Sequence, residues 1–141
     1  MFEISSIDEL ETLSEKVTWQ HFEKLIAFIF EENEFEVEHN VVVVSNHEKK
    51  QYDVIAKKPH ITYVIECKRW KSRAGVVHAI HDAVDLHIER CAFYSKVHPN
   101  EHVIPLLVIF LSGMPEQHKN VFIVPLHSLN WFLNSYEYRE E

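Results

Sequence analysis

Apolar residues recur along this chain with two different periods, and the points where the period changes divide it into elements. Ser6-Ile7-Asp8-Glu9 has the spacing of a capping box and predicts a short first helix to about Lys16. Thr18 can cap a second helix to about Asn33, in which Phe22, Leu25, Ile26 and Ile29 form one apolar stripe. Phe35 to Ser45, with four consecutive valines at 41 to 44, reads as a strand, and Asn46 to Gln51 as a polar loop. Tyr52-Asp53-Val54-Ile55-Ala56 and Tyr63-Val64-Ile65-Glu66-Cys67-Lys68 read as two short strands, with Lys57-Lys58-Pro59-His60 as a tight connection between them. Gly75 opens a third helix to about Ser95, with Val77, Ile80, Val84, Ile88 and Cys91 on its buried side. Val103 to Leu111 is a continuous apolar run of the kind found in a central strand covered on both faces. Residues 112 to 120 read as a loop, 121 to 124 as a short strand, and Ser128 to Tyr136 as the last helix. Strand, helix, strand from 61 to 111 implies a right-handed crossover, hence an α/β fold with a central mixed β-sheet flanked by helices.

Composition narrows the function classes. With 141 residues, 46% of them hydrophobic, one globular domain over 1–141 is expected. The longest apolar stretch is too short for a bilayer and carries a Pro, and the start of the chain lacks the basic residues of a signal peptide. No membrane association and a cytosolic protein are therefore expected. Two cysteines make no disulfide framework and no Cys-x-x-Cys zinc site. With only Gly75 and Gly113 present, Gly-rich phosphate loops and nucleophile elbows are excluded. His78, His81, Asp82 and Asp85 share a helix face, which reads as a solvated surface rather than a transition-metal site.

The formal charge of −8 argues against a nucleic-acid partner, since phosphate contacts come from Lys and Arg. The distribution reverses that reading. Residues 49 to 73 hold Lys49, Lys50, Lys57, Lys58, Lys68, Arg69, Lys71 and Arg73 against Asp53 and Glu66, a local excess of six positive charges that leaves −14 elsewhere. Such a strip would draw a phosphodiester backbone to one place and repel it from the rest, so a nucleic acid is the expected partner. Trp70 lies within it, able to stack or to pack.

The strip surrounds the most informative chemistry in the chain. In a strand ending Glu66-Cys67-Lys68, Glu66 and Lys68 point to one face and Cys67 to the other. If the two strands pair as a hairpin, Asp53 arrives near Glu66. Asp occurs only four times here, so its placement is informative. Two carboxylates with a lysine suit a hard divalent cation held through oxygen, with a positive group near an anionic substrate or an attacking water. The Cys67 main-chain carbonyl passes the same point and is a further candidate ligand. Gln51, by alternation, shares the face of Asp53 and could orient a water or phosphate. Glu48-Lys49-Lys50 has the same Glu-x-Lys spacing without an apolar strand before it.

Asp53, Glu66 and Lys68 resemble the signature of the PD-(D/E)XK nuclease superfamily, an Asp, a spacer, then Glu/Asp-x-Lys on neighbouring strands. Trp19 to Ile26 opening a helix, Asn33 to Val37 entering a strand, and Val121 to Leu133 as a closing strand and short helix resemble the Mrr-like restriction endonuclease branch and, more loosely, archaeal Holliday junction resolvases. The likeness spans about residues 17 to 135. It departs at Tyr52, where the signature has Pro, and at Asn46 to Gln51, where Mrr-like proteins have a Gly-rich approach. The resemblance implies a restriction-endonuclease-like core and hydrolysis of DNA phosphodiester bonds with magnesium or manganese. Asp53 and Glu66 would hold the ion, Lys68 would orient water or stabilise charge, and Glu23 would be the helix glutamate that joins the metal site in that family. It also implies a homodimer or a protein partner, because a lone core of this size leaves no room for a separate specificity domain. Two rival readings stay open: a non-catalytic module of the same fold that binds nucleic acid or protein, and an acidic regulatory or structural subunit.

Overall fold

The computed structural model of the protein describes residues 19–70, 73–111 and 113–140. The expected first helix, the Thr18 cap and Lys71 lie outside the described residues.

Helix α1 (Trp19–Glu32) buries Phe22, Leu25, Ile26, Ile29 and Phe30. It ends in a left-handed cap at Glu34, φ 68°. Phe35 N–H donates to Phe30 O at 3.1 Å and Glu34 N–H to Glu31 O at 3.0 Å, the two bonds that satisfy the last carbonyls of a helix. The Phe30 and Phe35 rings meet edge-on at 5.2 Å and aim the chain into the sheet.

Strands β1 (Glu36–Ser45) and β2 (Glu48–Lys58) form an antiparallel hairpin. Asn46 and His47 join them with φ of 50° and 69°, the paired left-handed residues that match the twist of a two-residue hairpin. The polar loop expected from Asn46 to Gln51 is therefore a tight turn followed by strand. Glu48 to Gln51 lie on an arm without the apolar alternation that would have marked them. Pro59 and His60 turn the chain into β3 (Ile61–Lys68), antiparallel to β2. Helix α2 (Val76–Val97) then crosses over to β4 (Val103–Ile109), which runs parallel to β3. Strand β5 (Gln117–His118) pairs antiparallel with β6 (Val121–Pro125), itself parallel to β4. A 3-10 turn (Leu126–Ser128) leads into α3 (Leu129–Glu140). The sheet order is β1-β2-β3-β4-β6-β5, a mixed six-stranded sheet of the expected α/β class. Pro105 survives inside it because Thr62 N–H donates to His102 O, which turns Ile104 and Leu106 toward β3. Pro105 faces β6, whose pairing starts only at Leu106.

Helices α1 and α3 cover one face, where Val54, Ala56, Tyr63, Ile65 and Cys67 meet Phe22, Phe30, Leu129 and Leu133. Helix α2 covers the other, with Ile80 and Val84 against Leu107 and Ile123, and Cys91 and Tyr94 against Tyr52, Ile55 and Val64. Each such buried side chain contributes about 1.5–3 kcal/mol of transfer free energy. The buried stripe of α2 is Val76, Ile80, Ala83, Val84, His87, Cys91 and Tyr94. It is rotated from the expected one, and Val77 is 45% exposed. Two polar residues take core positions with a polar atom bonded there: His87 Nε2 donates to Val64 O at 2.8 Å, leaving Nδ1 without a partner, and Tyr94 Oη donates to Glu101 at 2.8 Å.

Candidate active site

The ladder between β2 and β3 runs from Lys58↔Ile61 to Val54↔Ile65 and stops. The next pair would be Asp53 and Glu66. Beyond it β2 stays paired with β1 as far as Ser45↔Glu48, so the two strands that carry the carboxylates fork at those residues. Side-chain alternation slips at the same place. Val54 and Ala56 face α1 and α3, whereas Tyr52 lies with Ile55 on the α2 side, together with Val41 and Val43 of β1. Asn40, the residue of β1 opposite Asp53, takes φ 49°. Gln51 therefore does not share the face of Asp53 by simple alternation. Its side chain is exposed and its carbonyl accepts from Arg90 Nη1 at 3.0 Å.

Asp53 fills the gap that the fork opens. Its Oδ2 accepts from Cys67 N–H at 2.9 Å, standing in for the strand carbonyl that an unbroken ladder would have supplied. The Cys67 carbonyl leaves β3 on the same side as its N–H, toward Asp53. Glu66, its side chain 16% exposed, lies beside the Asp53 carboxyl, near enough for the two groups to interact. Burial, then the neighbouring Asp53 carboxyl, push Glu66 up to about 7, against the opposing pull of Lys68 and Arg90. Arg90 Nη1 stands 3.8 Å from Glu66 Oε2. Lys68 ends β3, paired with Ile109.

The structure thus brings together Asp53, Glu66 and the main chain of Cys67, with the charge of Lys68 acting on Glu66. Glu23 approaches the same strand from the α1 face, near enough for its charge, after burial and Asp53, to help push the Cys67 thiol well above its ordinary range. The basic strip is divided. Lys49 and Lys50 sit on the hairpin arm beside the fork. Lys57 and Lys58 lie at the far end of β2, roughly 13 to 17 Å from Asp53 at about 3.3 Å per residue. There Lys57 pairs with Glu101 at 3.5 Å and Lys58 lies 4.5 Å over the Phe35 ring. Arg69 packs its guanidinium 5.5 Å over Phe110, Arg73 is exposed, and Trp70 packs against the Val76 and Ile80 cluster. Sequence reasoning missed Arg90, Tyr52 and His87. The signal was available for Arg90: residues 83, 87, 90 and 94 form one helical row along the edge of the buried stripe, away from the solvated face.

Among the described residues no trio of His, Cys, Asp or Glu side chains is arranged to hold a metal. The helix face expected to be solvated is so, with His78 paired to Asp82 at 3.4 Å and Asp85 to Lys119 at 2.6 Å. The fork offers a different donor set, two carboxylates and one carbonyl. That set suits magnesium, which takes one or two protein carboxylates and completes its shell with water and phosphate oxygens. A cation between Asp53 and Glu66 would also offset the repulsion between these neighbouring carboxylates.

Comparison with known proteins accords with this geometry. The family model Mrr_cat, described as restriction endonuclease, matches residues 14–95, more than half of the chain. An uncharacterised protein of Archaeoglobus fulgidus is 26% identical over 117 residues, 83% of this chain and 90% of its own length. The small subunit of the heterodimeric restriction endonuclease R.BspD6I superposes over 96% of this chain and 78% of its own, with a TM-score of 0.56 and 12% identity. The crystal structure of a protein of unknown function overlaps 73% of this chain with a TM-score of 0.49 and 20% identity, and the chain spans 55% of that protein's length.

Proposed function

Since the chain belongs to the Mrr-like restriction endonuclease family within the PD-(D/E)XK nucleases, we propose that the fork between β2 and β3 is the active site of a metal-dependent DNA endonuclease of restriction or junction-resolving type. One observation carries this reading: Asp53 and Glu66, on different strands, converge where the ladder ends, and a largely covered Glu66 is held beside another carboxylate although burial pushes its carboxyl up to about 7. Asp53 and Glu66, with the Cys67 carbonyl, would hold Mg2+ or Mn2+. When bound, the ion neutralises phosphoryl oxygens and makes a water more acidic. Lys68 orients that water or stabilises the charge that develops on the phosphate. Glu23 and Gln51 assist from the edges of the fork. Lys49, Lys50, Arg69 and Arg73 grip the backbone near the fork, Lys71 is a further candidate from the sequence, and Lys57 and Lys58 meet a longer duplex at the far end of β2. A second copy or another protein completes the grip on DNA, and a DNA substrate goes with a cytosolic protein. No helix among the described residues is long and apolar enough to cross a membrane.

A non-catalytic module of the same fold is the second reading, favoured by the lack of a three-ligand cluster among the described residues. Cleavage of supercoiled, linear and four-way-junction DNA with Mg2+ or Mn2+ separates the two. Wild type should nick or cut, and Lys68→Ala and Lys68→Arg should cut at least roughly a hundredfold more slowly while still binding metal, the scale of one lost preorganised group. No cleavage by wild type on any substrate would favour the module. Undiminished cleavage by Lys68→Ala would remove Lys68 from the site.

A further inference from the structure

Beyond Val54, β2 has lost β3 and keeps only β1 beside it, and a two-stranded ribbon is marginal without further packing. Apart from the Asp53 bond to Cys67 N–H, its attachment to the body at that point runs through α2. Tyr52 Oη donates to the main-chain carbonyl of Arg90 at 2.6 Å, and Arg90 Nη1 donates to Gln51 O at 3.0 Å. One residue of α2 thereby holds both residues of β2 that precede Asp53. The same guanidinium stands 3.8 Å from Glu66 of β3 and is 40% exposed at the mouth of the fork. Arg90 touches both strands that carry the carboxylates.

We propose that Arg90 is a positioning residue for the Asp53–Glu66 pair: it sets the opening of the fork, and with it the separation of the two carboxylates, without itself holding the ion. The inference rests on the nuclease reading above. It makes a prediction opposite in sign to simple electrostatics. A guanidinium 3.8 Å from a ligand carboxylate repels an incoming cation, so by charge alone its removal should tighten metal binding. Positioning demands the reverse. Without the Arg90 guanidinium the β2 arm keeps only the Tyr52 bond to the main chain of α2 and the Asp53 bond to Cys67. The two carboxylates are then held less strictly at one distance, and affinity falls by roughly the 10- to 100-fold typical of removing an outer partner of a metal ligand.

Mn2+ binding to the purified full chain, without DNA, followed by calorimetry and by the electron paramagnetic resonance of free Mn2+, tests this. Arg90→Ala should bind at least about tenfold more weakly than wild type. Arg90→Lys, which keeps the charge and one donor long enough for Gln51 O, should recover to within a few-fold. Tyr52→Phe, which removes only the second tether, should fall between wild type and Arg90→Ala and serves as the deciding variant if Arg90→Ala does not fold. In cleavage, Arg90→Ala should need more metal for half-maximal rate yet regain most of the wild-type rate at saturation, a split that general loss of structure would not give. Tighter or equal Mn2+ binding in a folded Arg90→Ala, or unchanged binding in Tyr52→Phe when Arg90→Ala is unfolded, overturns the inference and leaves the nuclease reading standing. Failure of wild type to bind Mn2+ overturns both.

Discussion

Replacing His87 by Gln should change how the stability of this protein depends on pH. His87 is 1% exposed, donates from Nε2 to Val64 O at 2.8 Å, and has no hydrogen-bond partner at Nδ1. Burial is the main cause that holds its pKa down from 6.5 to about 4, outweighing the bond to Val64. A histidine depressed in the folded state binds its proton more readily when unfolded. Its neutral form costs the fold nothing above pH 6.5, and stability is lost as pH falls from there toward 4. The loss for His87 is about 2 kcal/mol at pH 5 and about 3 kcal/mol at pH 4, from roughly 1.4 kcal/mol per pKa unit. Glu66, raised to about 7, titrates in the same window with the opposite sign and similar size, so wild type alone will show little slope. His87→Gln keeps a donor for Val64 O and removes the titration. Urea unfolding followed by tryptophan fluorescence at pH 7.5 and 5.0 should show the variant gaining about 2 kcal/mol on wild type over that interval. If the two proteins change in parallel to within about 0.5 kcal/mol, His87 is not buried neutral as described.

Three other outcomes are expected. Asp53→Ala should be less stable than Asp53→Asn by about 1–2 kcal/mol in denaturant titration, because only Asn keeps an oxygen for Cys67 N–H, while calorimetry should show both losing metal; equal stability would remove the strand-capping role. Glu66→Gln in chelator should exceed wild type by about 3 kcal/mol at pH 8 and by little at pH 4.5, since a raised carboxyl stabilises below 4.5 and that contribution is lost as pH rises through 7; a gain independent of pH would refute the ionisation argument. Reversing Lys49 and Lys50 should flatten the log-log salt dependence of DNA affinity by about 0.9 for each phosphate no longer neutralised, and reversing Lys57 and Lys58 should do so only for duplexes long enough to reach the far end of β2; equal effects on short duplexes would contradict the division of the strip.

The class of fold was legible because long-range order here follows from local periodicity. The apolar run at Val103 to Leu111 and the helix before it could only be a crossover to a covered strand, and β3, α2 and β4 are so arranged. Half of the arm was legible: Phe35 to Ser45 reads as a strand, and β1 forms there. Its return was not, because Asn46-His47 lacks the glycine that usually marks such a turn and Glu48 to Gln51 are polar where no described helix covers the outer face, on which Val42 and Val44 are also exposed. The stripe of α2 was misread by hydrophobicity alone, since His87 and Tyr94 are polar in composition yet buried, each with one hydrogen bond in place. The Asp53, Glu66 and Lys68 spacing was visible; the slip in alternation at Asp53, which decides what Gln51 faces, depends on where β2 leaves β3 and has no signature in either strand.

The two carboxylates do not weigh equally between the readings. Asp53 has a structural reason to exist: the fork leaves Cys67 N–H without a strand partner, and a short acceptor side chain at that position satisfies it. A non-catalytic module would keep such a residue. Glu66 has no comparable reason. It lies in a site that pushes its carboxyl up to about 7, next to another carboxylate, and the neighbouring Lys68 and Arg90 offset this only in part. A neutral side chain of the same length would make the fold more stable at neutral pH, so Glu66 is the residue whose presence calls for a function outside folding. A divalent cation held between the two carboxylates would remove the repulsion that makes the pair unfavourable, which is the function the nuclease reading gives to Glu66.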